Sequence, residues 1–140
     1  MTFPLAGLLR VRGAQERMAA EELSRAGAAR AAAEAAEQDA VTGLAQIGDR
    51  IDDAATLLAM AAARASGRSA LADLQTLSAL RRAEELEART AHVEARRELK
   101  GLERLEDAHR AKAAAAELRS EQMTLDEIAV ARSRGDGSAA

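Results

Sequence analysis

The chain has 140 residues, 48% hydrophobic and 31% charged, with a net charge of −3 and no Cys, which excludes disulfides, thiol nucleophiles and thiolate metal sites. Of the 67 hydrophobic residues 38 are Ala, aromatics are limited to Phe3 and proline to Pro4; that is too little bulk for a thick globular core but fits long helices. Residues 1–67 carry 7 Arg against 9 acids and residues 68–140 carry 13 basic against 14 acidic side chains, so no basic patch supports nucleic-acid binding.

The opening MTFPLAGLLRVR lacks a basic leader and has only about seven apolar residues before Arg10, too few for a signal peptide. No run approaches the roughly 18 apolar residues of a bilayer span, so a cytoplasmic protein without a membrane span is expected. From Leu5 a 3,4 spacing then runs through Leu9, Arg12, Glu16, Ala19, Leu23, Ala26, Arg30, Ala33, Glu37, Ala40, Leu44, Ile47, Ile51, Ala54, Leu58, Ala61 and Ala65. This heptad predicts one helix over about 4–65, on the order of 90 Å long.

Ser66-Gly67-Arg68-Ser69 follows, with Gly67 as a left-handed C-terminal cap and Ser69 as the next N-cap, so a turn is predicted at 66–69. A second helix over about 70–133 follows from Leu74, Leu77, Arg81, Glu84, Ala88, Ala91, Ala95, Glu98, Leu102, Leu105, His109, Lys112 and Ala116. Residues 1–134 then form a single all-α, antiparallel coiled-coil hairpin, and residues 135–140 a flexible tail. Centring the turn at Gly67 pairs residue i with about 135−i. Leu99 and Leu102 then face Ala36 and Ala33, Leu44 and Ile47 face Ala91 and Ala88, and large side chains meet small ones. The same register sets Glu16 opposite Arg119, Glu37 beside Arg97, and Arg30 near Glu103 and Glu106. Gly13, Gly27, Gly43, Gly48 and Gly101 flank the seam, either for close backbone approach or as drift in an Ala- and Gly-rich chain.

Candidate chemistry is sparse. His92 and His109 are too far apart on one helix to share a metal, and neither has a second ligand at zinc-site spacing. Asp52 and Asp53, and the trio Glu84, Glu85 and Glu87, have no concave pocket to shift their titration. No phosphate-binding loop or nucleophile triad is present, so no enzyme, cofactor or metal is expected. The informative stretch is LRSEQMTLDEIAVAR, residues 118–132. Its Leu118, Met123, Leu125, Ile128 and Val130 spread over more than half of a helix circumference. In the expected register this segment lies beside Phe3, Leu5, Leu8, Leu9 and Val11. Either the local core is wider there, or the joined ends present a docking surface.

FPLAGLLRVRGAQERMAAEEL resembles the start of FliJ-type proteins of bacterial flagella, and ELKGLERLEDAHRAKAAAAELRSEQMTLDEIAVAR resembles their C-terminal helix, most specifically at Glu121-Gln122 and Leu125-Asp126-Glu127. The resemblance implies a hairpin similar to the γ stalk of rotary ATP synthases. Its terminal end would enter the hexameric export ATPase, promote ring assembly and activity, and meet the membrane export gate and export chaperones. On this basis the partner-binding candidates are Leu5, Leu8, Leu9, Arg12, Glu16, Leu118, Glu121, Gln122, Leu125, Asp126, Glu127 and Ile128. The protein would lie at or near the cytoplasmic face of the inner membrane. The competing reading is a generic coiled-coil scaffold, since heptads alone do not choose between a hairpin and a dimer of long helices. A membrane-surface helix is disfavoured by balanced charge and missing aromatics.

Overall fold

The computed structural model describes residues 2–138. It contains two long helices, α1 (Ala6–Ala45) and α2 (Ala54–Gly137), and no strand among the described residues. The helices pack antiparallel, as a hairpin. Pro4 sits just before α1, where a missing N–H costs nothing, and Ala6 N–H donates to the Phe3 carbonyl at 3.1 Å. The Ala-rich middle of α1 is strongly helix-forming, and α1 ends only where Gly48-Asp49-Arg50 offers the backbone alternatives to the helix.

Asp53 starts α2. Its Oδ1 accepts the Thr56 N–H at 2.7 Å, and the Leu57 N–H donates to its carbonyl at 3.1 Å, the geometry of an N-cap. That hydrogen bond to Thr56 holds the Asp53 carboxyl below its ordinary range.

The expected turn at 66–69 is therefore corrected. Those residues lie inside α2, and the chain reverses through residues 46–53. Gly67 lies within α2 and does not have the positive φ of a left-handed cap. Its missing side chain has another use: a Cβ there would lie 2.5 Å from Leu44 Cδ2 and 3.2 Å from its Cγ, so Leu44 occupies the space that a side chain would fill. The flanking glycines do less. A Cβ at Gly43, Gly48 or Gly101 would meet nothing within 4 Å, and one at Gly27 would make ordinary contact with Glu85 at 3.4 Å.

Two compact units each take a piece of both helices, Gln15–Arg96 in one and Met1–Ala14 with Arg97–Ala140 in the other. In Gln15–Arg96 the inward positions of α1 are Glu16, Ala19, Leu23, Ala26, Arg30, Ala33, Glu37, Ala40 and Leu44. They are the heptad positions read from the sequence. On α2 the inward set is Met60, Arg64, Gly67, Leu71, Leu74, Ser78, Arg81, Glu85, Ala88, His92 and Ala95, which agrees with the expected seam only at every second position. Leu77, placed on the seam by the sequence reading, is exposed. The buried residues among those described are Ala26, Ala33, Ser78 and Ala88, so the core is a single row of small side chains.

The register is read from the cross-helix contacts. Leu44 on Gly67, Arg30 Nε on Glu85 Oε2 (2.5 Å), Arg82 Nε on Glu34 Oε1 (2.8 Å) and His92 Nε2 on Glu16 Oε1 (2.9 Å) join residues whose numbers add to between 108 and 116, not 135. The expected partners of Glu16 and Arg30 are corrected accordingly. Arg30 also bonds Glu34 at 2.7 Å, and Arg89 reaches Glu85 at 3.5 Å, so five side chains form one chain of alternating charge. Exposed ion pairs add little each, but a slipped register would break the cross-helix pairs Arg30–Glu85, Arg82–Glu34 and His92–Glu16 at once. The Arg82 hydrogen bond is the main cause that lowers the Glu34 carboxyl pKa, and Glu34 in turn raises that of Arg82.

The connector 46–53 runs back beside the first turns of α2, where Arg64 Nη2 binds the Asp49 carboxylate at 2.8 Å and the Gly48 carbonyl at 3.4 Å. Eight extended residues reach about 26 Å, enough to pass those turns, which rise roughly 15 Å. The sequence carried this break in Gly48, Asp49 and the Asp53 cap. The break was masked because Leu44, Ile47, Ile51, Ala54 and Leu58 keep the heptad going across it.

Candidate functional site

In the unit formed by Met1–Ala14 and Arg97–Ala140, the N-terminal segment lies on α2 at a level that the register dictates. Phe3 meets His109 edge to face, ring centres 5.5 Å apart and planes at 61°. Arg12 Nη1 pairs with Glu98 Oε2 at 2.5 Å. Leu9 is half-buried, as are Leu99, Leu102, Glu106, His109 and Ala113 on α2. Leu5 and Leu8 are exposed. The expected seam position of Leu5 is thereby corrected: Ala6 and Leu9 face α2, and Leu5 and Leu8 flank them.

After Ala113 the character of α2 changes. Every described residue from 114 to 138 is exposed, although the helix continues to Gly137. Residues 135–137, expected in a flexible tail, form its last turn, and Ser138 N–H donates to the Gly135 carbonyl at 3.4 Å. Ala139 and Ala140 lie outside the described residues. The expected meeting of the two ends does not occur. The N-terminal segment reaches His109, and Leu118, Leu125 and Ile128 lie about 14, 24 and 29 Å further along α2. The cause is the register: reversing at 46–53 makes α1 shorter than α2 and leaves the end of α2 without a neighbour from this chain.

The candidate residues therefore fall into two groups. Leu9, Arg12 and Glu16 are engaged within the hairpin, Arg12 with Glu98 and Glu16 with His92 in the unit Gln15–Arg96. Leu5 and Leu8 remain open. On the exposed stretch, at about 100° per residue, Leu118, Glu121, Gln122, Leu125 and Ile128 share an arc of roughly 120°. Asp126 stands at its edge, and Glu127 is on the opposite side.

That opposite side carries a second apolar stripe. The inward spacing Leu102, Glu106, His109, Ala113 continues as Ala116, Ser120, Met123, Glu127 and Val130, so Met123 and Val130 extend the hairpin seam beyond the reach of α1. Leu118 is 67% exposed, Met123 66% and Leu125 65%. Met123 and Val130 lie seven and fourteen residues past Ala116, the last seam position read from the sequence, so the same period reaches them.

No group of three or more His, Cys, Asp or Glu side chains that could hold a metal gathers among the described residues, and none of their helices is long and apolar enough to cross a membrane. What the geometry offers is an exposed length of helix with apolar side chains on opposite sides. No curated protein and no solved structure matches the chain. The family model described as "Flagellar FliJ protein" matches residues 1–138. A two-helix antiparallel hairpin matched from end to end by that model belongs to the FliJ family of flagellar export components.

Proposed function

We propose that this chain serves as the central stalk of the hexameric export ATPase, entering the ring with the exposed end of α2, promoting ring assembly and hydrolysis, and escorting export chaperones to the membrane export gate. The observation that carries the reading is the stretch 114–137, a single exposed helix of about 36 Å with apolar side chains on opposite faces. An isolated helix of this length is only marginally stable in water, so its apolar surface needs a partner. A groove covers one face of a helix; a ring covers all of them. Membership in a flagellar export family supports a ring ATPase as that partner. Leu118, Glu121, Gln122, Leu125 and Ile128 would contact the ring on one side, with Asp126 at the margin and Glu127 on the other. Leu5 and Leu8 would lie where the stretch leaves the hairpin, and Leu9, Arg12 and Glu16 would act by holding α1 on α2. The work takes place at the cytoplasmic face of the inner membrane in this reading, with no catalytic role for the chain itself.

The test is the hydrolysis rate and ring assembly of the purified export ATPase with and without this protein. Stimulation is expected, and it is lost in Leu125→Ser/Ile128→Ser, whose helical circular dichroism stays near that of the parent. Unchanged hydrolysis and assembly on adding the parent protein would overturn the stalk role. Loss of folding in the double variant would place the two side chains in a core instead.

A further inference from the structure

The arc bearing Leu125 and Ile128 has a pattern that a partner of unrelated sequence does not require. Its positions run Glu121, Leu125, Ile128, Arg132, spaced four, three and four residues apart. Turned end for end, the pattern reads as its own complement. A second copy laid antiparallel sets Leu125 against Ile128 in two central layers and Glu121 against Arg132 in the layers on either side. The two-fold axis passes between Asp126 and Glu127. We propose that this face is an isologous docking site for a second copy of the chain, pairing residues 116–137 of each copy.

Several observations favour this occupant. Within the chain Glu121 and Arg132 make no ion pair among the described residues, so each is available to the other copy's partner. The positions flanking the stripe, Gln122, Thr124, Ala129 and Ala131, are uncharged and mostly small, which permits close approach. A parallel pair in register would instead set Glu121 against Glu121 and Arg132 against Arg132, and like charges across a seam are costly. The stripe on the opposite side is not self-complementary, because every heptad-matched antiparallel register sets Glu127 against Met123, Val130 or Ala116. The paired residues also lie wholly past Ala113, on the side of α2 facing away from the α1 seam, so α1 does not obstruct the second copy. A contact of five or six turns is at the small end of specific interfaces, below about 1,200 Å², so the association is weak and reversible. It covers Leu125 and Ile128, and any other partner for those side chains has to displace it.

Sedimentation velocity on the full chain between about 1 μM and 1 mM reads the association directly, a range that spans weak specific pairing. A reversible monomer–dimer equilibrium is expected for the parent. Glu121→Arg and Arg132→Glu each weaken it by roughly tenfold or more, since each sets like charges across both outer layers. Glu121→Arg/Arg132→Glu restores it, because the exchanged charges face each other again. A mixture of Leu125→Cys and Ile128→Cys copies crosslinks between chains under mild oxidation. Circular dichroism verifies that each variant stays helical. A monomer throughout the range, a dimer indifferent to the single variants, or a double variant as weak as the singles would each overturn the pairing.

Discussion

Among the described residues Ser78 is the most completely buried, 1% exposed, and its hydroxyl finds no hydrogen-bond partner there. Thr76, Thr90 and Thr124 each return their hydroxyl to the carbonyl four residues back, at 3.0–3.1 Å; Ser78 does not. A buried hydroxyl left unpaired costs about 1–3 kcal/mol, and Ala is also the better helix former by about 0.5 kcal/mol. Ser78→Ala should therefore stabilise the protein by about 1 kcal/mol or more in urea unfolding, with an unchanged m-value. A destabilised variant would mean that the hydroxyl is satisfied in solution. Gly67 makes the converse point at the same scale: its absent Cβ is the seat of Leu44, so a residue suited by composition to a turn serves packing instead.

The start of α2 depends on Asp53, whose carboxylate caps the Thr56 N–H. Its pKa is held down in the folded chain chiefly by that hydrogen bond, so its contribution is fully present above the unfolded value of about 3.9 and is lost as pH falls through the lower folded value. Asp53→Ala should lower the thermal midpoint at neutral pH. The gap between variant and parent should stay constant down to about pH 4 and narrow below it. A gap that is the same at pH 2.5 and pH 7 would show that the charge has no part in the cap. The rest of α2 draws its order from the seam, in which cross-helix ion pairs such as Arg30–Glu85 and Arg82–Glu34 select one register among the slipped ones that an Ala-rich seam tolerates.

At the scale of the whole molecule, the packed seam and the exposed apolar length of α2 occupy different stretches of chain. Residues 114–138 are all exposed, so ending the chain after Glu117 should leave the thermal midpoint of the hairpin nearly unchanged while removing the proposed stimulation of the export ATPase. A large fall in the midpoint would mean that the stretch packs on the hairpin in solution. Under the two proposals above, the second copy and the export ATPase would compete for Leu125 and Ile128 without disturbing α1.

Helicity and the seam of α1 from Leu9 to Leu44 were determined by the sequence alone, because propensity and a 3,4 apolar spacing are local properties that survive any register. So was membership in the FliJ family, legible in the two end segments and extending over residues 1–138. The place of the reversal was decided by tertiary structure. Two heptads overlap across residues 54–65, one continuing α1 and one beginning α2, and composition does not rank them. The choice rests on contacts between residues far apart in the chain: Leu44 in the space at Gly67, Arg64 on Asp49, and the Arg30, Glu34, Arg82 and Glu85 network. That choice moved the C-terminal apolar residues from the side of Phe3 and Leu5 to an uncovered length of helix, because register is a property of the pair of helices and not of either one.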